Sequence, residues 1–179
     1  GGRVKVLFLG PQDSPLLSSL CLQGEEVTVW EEKVDAVYVK RCAPDFAVSY
    51  GYRHLLKRDV LDLLPNKVIN LHISFLPWNR GADPNLWSFV EGTPKGVTIH
   101  YVDEGMDTGD IIVQKEVSFS RGGTLRSTYE RLQAEMQRLF QQNWASIKTG
   151  GCPRKAQRAG GSTHTLMMKE PLAGLLTHG

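Results

Sequence analysis

Residues 68–73 alternate apolar and polar positions, which predicts a strand with an unusual polar face. Successive side chains of a strand point to opposite faces, so Ile69, Leu71 and Ile73 share one face. Pro77 cannot donate a hydrogen bond to a sheet, so the strand ends before it. The other face carries Asn70, His72 and Ser74. That face is either a solvated strand surface or a functional site, because buried polar groups need hydrogen-bond partners.

Apolar runs elsewhere in the first half predict an α/β fold. Residues 4–9, 27–30 and 45–50 are typical of buried strands, and residues 16–21 and 55–64 have helical spacing. The order of these segments predicts a Rossmann-like, mostly parallel sheet flanked by helices. Ligands of such sheets bind beyond the carboxyl ends of the strands. No element is predicted between the second strand and the third.

The second half continues with a short helix, two strands and one long helix. Asp83 and Pro84 form a capping signal for the short helix, and residues 97–102 and 111–117 read as strands. Apolar residues three or four apart then predict an amphipathic helix of roughly 36 Å that starts near Leu125. We expect one catalytic domain over residues 1–150, with residues 151–179 as an unassigned extension of the same domain.

Composition excludes several classes of protein. The chain has 179 residues, enough for one domain, with 21 basic and 19 acidic side chains. Such a balanced charge does not indicate a nucleic-acid surface, and no apolar run is long enough to predict a membrane span. The three cysteines are far apart, so neither a disulfide framework nor a thiolate zinc site is indicated. We expect a cytoplasmic protein.

A metal site is not predicted either. The loop 103–110 holds four carboxylates in eight residues, but its acids do not follow the calcium-loop pattern and Gln114 stands at the closing position. His72 and His100 lack the spacing of a helical zinc motif.

Other site classes also lack their signatures. Ser74 lacks the elbow motif of a nucleophilic serine, and the residues after Gly10 lack the dinucleotide fingerprint. An amide, an imidazole and a carboxylate remain, and this set suits acyl transfer between two bound substrates.

Two motifs carry a specific resemblance. Residues 70–77 read Asn-Leu-His-Ile-Ser-Phe-Leu-Pro, and residues 100–112 begin His-Tyr-Val-Asp-Glu-Gly-Met-Asp-Thr-Gly-Asp. In order and spacing, this pair resembles the signature of folate-dependent formyltransferases, over roughly residues 45–150. The resemblance implies the formyltransferase fold, N10-formyltetrahydrofolate as donor and an amine as acceptor.

The resemblance also implies roles for particular residues. The catalytic set is Asn70, His72 and Asp107, with His100 in a supporting role. The folate-binding set is Tyr52, Arg53, Leu55, Asp103, Glu104, Gly105 and Met106, largely through backbone groups.

Within the family, residues 77–87 and 93–100 resemble compact sugar N-formyltransferases of the pseudaminic-acid type. We therefore expect the amino group of a nucleotide-linked amino sugar as acceptor, contacted by Trp78, Arg80 and Trp87. Core packing explains Trp87 equally well. The chain leaves no room for the further C-terminal domain of methionyl-tRNA formyltransferases, and it lacks the phosphate loop of glycinamide ribonucleotide formyltransferases.

Three alternatives stay open. The same stretches resemble formylation domains of nonribosomal peptide synthetases, whose acceptor is a carrier-bound aminoacyl group. A formyltetrahydrofolate hydrolase, with water as acceptor, would carry the same catalytic residues. A non-enzymatic folate- or nucleotide-binding domain is disfavoured because the whole catalytic set is present. A homodimer through the long helix or the C-terminal segment is a further expectation.

Overall fold

The computed structural model describes residues 2–120 and 122–168, and its elements follow the predicted alternation. The strands are β1 (Lys5–Leu9), β2 (Glu26–Trp30), β3 (Phe46–Tyr50), β4 (Val68–His72), β5 (Arg80–Gly81), β6 (Gly96–Tyr101), β7 (Ile111–Glu116) and β8 (Thr163–His164). The helices are α1 (Leu16–Leu22), α2 (Ala36–Cys42), α3 (Arg58–Leu63), α4 (Pro84–Glu91) and α5 (Leu125–Thr149). Helix α2 had no predicted counterpart.

Six strands form one sheet in the order β2-β1-β3-β4-β6-β7. The first four strands of the chain pair in parallel with one another, as predicted. Strand β6 runs antiparallel to β4, and β7 runs antiparallel to β6. The connection between β6 and β7 is shorter than the dozen or more residues that a parallel crossover requires, so these strands pair as a hairpin. The sheet is thus mostly parallel with an antiparallel edge.

The two faces of the sheet are covered differently. One face forms the larger core with α1 and α5, and it includes Ile69, Leu71 and Ile73 of the β4 segment. On the other face, α2 and α3 pack over β1 and β3. Where that second face passes over β4 and β6, loops cover it in place of a helix.

The polar face of β4 lies under these loops. Asn70 pairs in register with His100, and His72 pairs with Thr98. His72 and Ser74 are buried and Asn70 is half-buried, so the interpretation as a solvated face is wrong. His72 is the last residue of β4 and Asn70 stands two residues before it, so the polar face lies towards the carboxyl end of the strand, as expected.

The predicted long helix is confirmed as α5. Thr124 and Ser127 form a capping box at its start, and Gly150 ends it in the left-handed conformation. Near its C-terminus, fully buried Trp144 donates a hydrogen bond of 2.5 Å from Nε1 to the carboxylate of Glu25. The helix therefore anchors a buried acidic group as well as the apolar core.

The C-terminal extension packs back onto the polar face as far as it is described. Lys155 forms an antiparallel bridge with Ile111, and β8 pairs in parallel with β5. Ser162 Oγ accepts a hydrogen bond of 2.9 Å from the backbone N–H of Asn79. Residues 169–179 of the predicted extension lie outside the described residues. No helix in the described ranges is long and apolar enough to cross a membrane.

Candidate active site

Asp107 lies at the centre of a buried polar cluster. Its Oδ1 accepts a hydrogen bond of 2.8 Å from Asn70 Nδ2 and lies 3.2 Å from His100 Nε2. Its Oδ2 accepts a hydrogen bond of 2.9 Å from the N–H of Gly81 and lies 3.5 Å from His72 Nδ1. The structure therefore brings together Asn70, His72 and Asp107, the three residues of the predicted catalytic set, with His100 beside them.

The loop between β6 and β7 folds back to place this carboxylate. Asp107 itself has a φ of 56°, in the left-handed region, which most residues avoid but aspartate tolerates. Asp103 shapes the start of the loop, because its Oδ1 accepts hydrogen bonds from the N–H of Gly105 at 3.0 Å and from Thr108 Oγ1 at 2.6 Å. Gly109 passes so close to Tyr101 that a Cβ atom would lie 1.8 Å from its carbonyl oxygen. The closely spaced glycines thus permit the turn.

Two backbone carbonyls set the proton positions on the imidazoles. The carbonyl of Asn79 lies 2.7 Å from His72 Nε2, and the carbonyl of Tyr101 lies 2.8 Å from His100 Nδ1. A carbonyl only accepts, so each of these nitrogens carries a proton. The opposite nitrogen of each ring faces Asp107. Each histidine can therefore carry a second proton that is shared with the same carboxylate.

The carboxylate of Asp107 stays ionised in this setting. Burial raises the pKa of Asp107, but the charges of His72 and His100 and the hydrogen bonds from His100 and Gly81 outweigh burial and hold that pKa well below its usual range. The cluster therefore places an ionised carboxylate between two imidazoles.

The hydrogen atoms of Asn70 Nδ2 decide what the site can offer a ligand. One hydrogen binds Asp107, and the second lies near His100 Nε2, at 3.2 Å from nitrogen to nitrogen. When His100 is neutral at Nε2, it accepts this second hydrogen. When His100 is protonated there, it donates to Asp107, and one N–H of Asn70 becomes available to an oxyanion.

Ser74 Oγ is buried and has no hydrogen-bond partner among the described residues. Within residues 2–120 and 122–168, no three His, Cys, Asp or Glu side chains are grouped to hold a metal ion.

The predicted folate residues lie on two segments, residues 52–55 and residues 103–106. Glu104 of the β6–β7 loop pairs with Arg58 at the start of α3, at 3.3 Å. The hydroxyl of Tyr52 donates to the carbonyl of Glu32 at 2.5 Å and accepts from the N–H of Val34 at 2.9 Å. Its hydroxyl is thus held by backbone. Of the other predicted folate residues, Arg53, Asp103 and Gly105 are exposed, Leu55 is 54% exposed and Met106 is half-buried.

The predicted acceptor residues have three different environments. Trp78 is 36% exposed. In the sequence it directly precedes Asn79, whose carbonyl contacts His72. Trp87 on α4 stacks on the buried ring of His164, with ring centroids 4.2 Å apart. Three nitrogens of Arg80 donate hydrogen bonds, two to Gln157 Oε1 and one to the carbonyl of Gly160. Two of the five N–H groups of Arg80 remain for a ligand.

Sequence reasoning missed three residues that complete the cluster. Asn79 and Gly81 contact His72 and Asp107 through backbone groups, and a sequence pattern carries no direct signal for such contacts. Gln157 lies in a segment with neither helical nor strand periodicity, so nothing in the sequence indicated its position.

Comparisons with known proteins converge on one chemistry. The family model described as "Formyl transferase" matches residues 24–143. A methionyl-tRNA formyltransferase from Agathobacter rectalis is 31% identical over 96% of this chain and 55% of its own length. One from Syntrophus aciditrophicus is 34% identical over 74% of this chain and 43% of its own length. The chain thus spans about half the length of the curated relatives it matches.

A solved structure matches more completely. The formyltransferase PseJ from Anoxybacillus kamchatkensis superposes with a TM-score of 0.91 and is 48% identical, covering 98% of this chain and 93% of that one. It was crystallised in complex with UDP-4,6-dideoxy-4-formamido-L-AltNAc and tetrahydrofolate. A sugar N-formyltransferase-like protein from Mycobacterium tuberculosis, 23% identical with a TM-score of 0.85, shares the fold.

Proposed function

Since the chain belongs to the formyltransferase family, we propose that it transfers a formyl group from N10-formyltetrahydrofolate to the amino group of a nucleotide-linked amino sugar. The observation that carries the reaction type is the cluster of Asn70, His72 and His100 around the Asp107 carboxylate. The likeness to PseJ, over nearly the full length of both chains, supports the acceptor class.

The donor is proposed to bind between the β6–β7 loop and the segment after β3. Residues 103–106 and 52–55 supply backbone groups there for the pterin. The ion pair between Glu104 and Arg58 holds the loop next to the start of α3. Exposed surface on Leu55 and Arg53 leaves room for a ligand on that segment.

The reaction exchanges one carbon–nitrogen bond for another. The neutral sugar amine forms a bond to the formyl carbon, and the bond from that carbon to N10 of the folate then breaks. The proton lost by the amine ends on N10, so no other reactant is needed. Between these steps the formyl oxygen carries a negative charge, which a fixed N–H donor stabilises.

Asn70 is the proposed donor to that oxyanion. Its side chain is oriented by Asp107 at 2.8 Å, so its second N–H, which is available when His100 is protonated at Nε2, does not have to reorganise during the reaction. His72 has its Nε2–H on the Asn79 carbonyl and its Nδ1 beside Asp107, which supports a role in moving the amine proton more than direct contact with the oxyanion. Asp107 orders the groups that carry the proton.

For the acceptor, the exposed face of Trp78 is the proposed surface for a base or sugar ring. The two unused N–H groups of Arg80 are proposed to reach a phosphate. Trp87 is proposed to act by holding this region in place, because its ring stacks on buried His164.

A second candidate is formyl transfer to methionyl-tRNA. Several relatives of the chain carry that name, and the chain matches about half of their length. The expected exclusion of this acceptor rested on chain length and on the balanced charge, so the acceptor must be tested directly.

The deciding experiment uses the purified chain with N10-formyltetrahydrofolate in three reactions. One contains a UDP-linked 4-amino-4,6-dideoxy sugar, one contains methionyl-tRNA and one contains no acceptor. Release of tetrahydrofolate and the mass of the acceptor are measured, with Asn70→Ala as the inactive control. We expect a formylated sugar in the first reaction only. A formylated tRNA would replace the proposed acceptor, and formate without an acceptor would indicate a hydrolase.

Assembly and location stay predictions. Exposed apolar side chains on α5, Leu125 and Tyr129, could pair two copies, and light scattering would detect such a homodimer. A cytoplasmic location is expected from the free cysteines alone.

A further inference from the structure

We propose that Gln157 is a positioning residue of this active site, through which the C-terminal segment fixes Asp107 and Arg80 relative to each other. This inference rests on the proposed function for its catalytic meaning. It assigns a role to a segment that has no sequence pattern of its own.

The side-chain amide of Gln157 is saturated with hydrogen bonds. Its Nε2 donates to the carbonyls of Asp107 at 2.8 Å and Gly109 at 2.9 Å. Its Oε1 accepts from Arg80 Nε at 3.0 Å and Nη2 at 2.8 Å. An amide has two N–H donors and one oxygen with two lone pairs, so all four are used and the amide has one orientation.

These contacts fall where the backbone needs support. Asp107 has a φ of 56°, a conformation that costs free energy unless its surroundings hold it. The amide of Gln157 holds the carbonyl of Asp107 itself and that of Gly109, two residues later. The direction of the catalytic carboxylate therefore depends on a side chain from outside the two motifs of the sequence.

The contacts also close a ring. Asp107 Oδ2 accepts from the N–H of Gly81 at 2.9 Å, and Gly81 follows Arg80 directly in the chain. Arg80 binds Gln157, and Gln157 binds the backbone of Asp107. A shift of Arg80 on binding a ligand phosphate is thereby transmitted to the catalytic loop through two routes. Small displacements of a reacting group reduce rates steeply.

The test compares Gln157→Met with Arg154→Ala. Methionine keeps the length of the side chain but removes all four hydrogen bonds. Arg154 belongs to the same segment, and it binds Asp110 at 2.9 Å and Asn66 Oδ1 at 2.7 Å instead of Asp107 or Arg80. We expect Gln157→Met to lower kcat by about 10- to 100-fold, whereas Arg154→Ala lowers thermal stability and leaves kcat near that of the wild type.

A double-mutant cycle separates positioning from a general structural effect. In an Asp107→Asn background, Gln157→Met should lower the remaining activity by less than about threefold, because the group it positions has already been changed. Equal fold losses in both backgrounds would overturn the proposal.

Gln157→Glu keeps the acceptor for Arg80 and loses the donors, so it should resemble Gln157→Met in kcat but retain a wild-type KM for the sugar nucleotide.

Hydrogen–deuterium exchange tests the same inference without any substrate. Amides of residues 105–109, a range that excludes the ion-pair partner of Arg154, should exchange faster in Gln157→Met than in the wild type or in Arg154→Ala. Unchanged exchange would contradict the proposal even if the acceptor were wrongly assigned. Conversely, faster exchange in a protein that formylates no sugar would sustain the positioning role and reject the proposed acceptor.

Discussion

Asn70 Nδ2 donates a hydrogen bond of 2.8 Å to Asp107 Oδ1, although 36 residues separate the two in the chain. This bond turns the Asn70 amide to a fixed orientation before any substrate binds. A donor that is already oriented stabilises a developing oxyanion without a reorganisation cost. The bond therefore joins the residue proposed to stabilise the oxyanion with the residue proposed to order the proton path.

Asn70→Ala should reduce kcat by roughly 10²- to 10³-fold, because one oxyanion donor is typically worth about 3–4 kcal/mol of barrier. Steady-state release of tetrahydrofolate measures the loss. The matched control is Asn143→Ala, which removes a side-chain hydrogen bond on α5 to the carbonyl of Leu139, outside the site. Near-normal turnover in Asn70→Ala, or equal losses in both variants, would remove Asn70 from the catalytic set.

Asp107 should make the stability of the protein depend on pH in the acid range. The pKa of Asp107 is lower in the folded protein than its ordinary value of 3.8, so the folded state binds this proton less readily than the unfolded state does. The resulting stabilisation is present in full above about pH 5 and is lost as the pH falls below about 4 towards the folded pKa.

Chemical denaturation of the wild type and Asp107→Asn between pH 3 and pH 7 measures this effect. The difference in free energy of unfolding should be constant near neutral pH and should shrink on acidification. Asparagine tolerates the left-handed backbone, so the comparison isolates the charge. A difference that is independent of pH down to pH 3 would contradict the ionised carboxylate.

The sequence was sufficient to predict the elements that carry strong periodicity. Strand β4 and helix α5 were both found because their apolar positions alternate, or recur three or four apart, over a long stretch. Helix α2 was missed because Val39 is its one buried residue. Its start is encoded by Asp35, whose carboxylate caps the N–H of Tyr38 at 2.8 Å.

Of the site, only the side chains that belong to the two sequence motifs could be predicted. The resemblance indicated Asn70, His72 and Asp107, and the structure brings them together. The roles of Asn79 and Gly81 depend on backbone groups, and that of Gln157 depends on a long-range contact. Neither produces a periodic or compositional signal, so the path of the chain was needed to find them.

Gly81→Ala should destabilise the protein far more than a typical glycine substitution in the same backbone region. Gly81 has a φ of 91°, and a Cβ atom there would lie 2.1 Å from the carbonyl oxygen of His164. Backbone cannot move aside as a flexible side chain can. The substitution therefore separates β5 from β8 and displaces the N–H that binds Asp107.

Gly24→Ala is the control for this substitution. Gly24 has a similar φ of 83°, but a Cβ atom there would meet nothing within 4 Å. Gly24→Ala should lower the free energy of unfolding by only about 1–2 kcal/mol, which is the cost of the left-handed conformation itself. Thermal unfolding and turnover of both variants are compared. Equal losses of stability would show that the close approach to His164 does not matter.

Lys148→Met should strongly destabilise the fold without touching the site. Lys148 Nζ binds Glu25 Oε2 at 2.9 Å, and the Glu25 side chain has no exposed surface. Removing the lysine leaves a buried carboxylate without its cation, which typically costs about 3–5 kcal/mol. Arg126→Ala breaks an exposed ion pair with Glu130 at 3.3 Å and should cost less than about 1 kcal/mol. Denaturant titration measures the loss in free energy of unfolding for both variants. Similar small losses would show that the hydrogen bonds from Trp144 and from the backbone are sufficient to stabilise the buried Glu25 carboxylate.

Trp78 and Trp87 should respond differently to substitution by alanine. Trp78 is 36% exposed and directly precedes Asn79 in the chain, so Trp78→Ala should raise KM for the sugar nucleotide about tenfold, because one stacked ring contributes roughly 1–3 kcal/mol. The unfolding temperature of the Trp78→Ala variant should change little. Trp87 stacks on buried His164, so Trp87→Ala should lower the unfolding temperature by several degrees. Steady-state kinetics and thermal unfolding of each variant are measured together. If Trp78→Ala leaves KM unchanged while Trp87→Ala raises it in a fully stable protein, then the acceptor lies against α4 and not against the loop that follows β4.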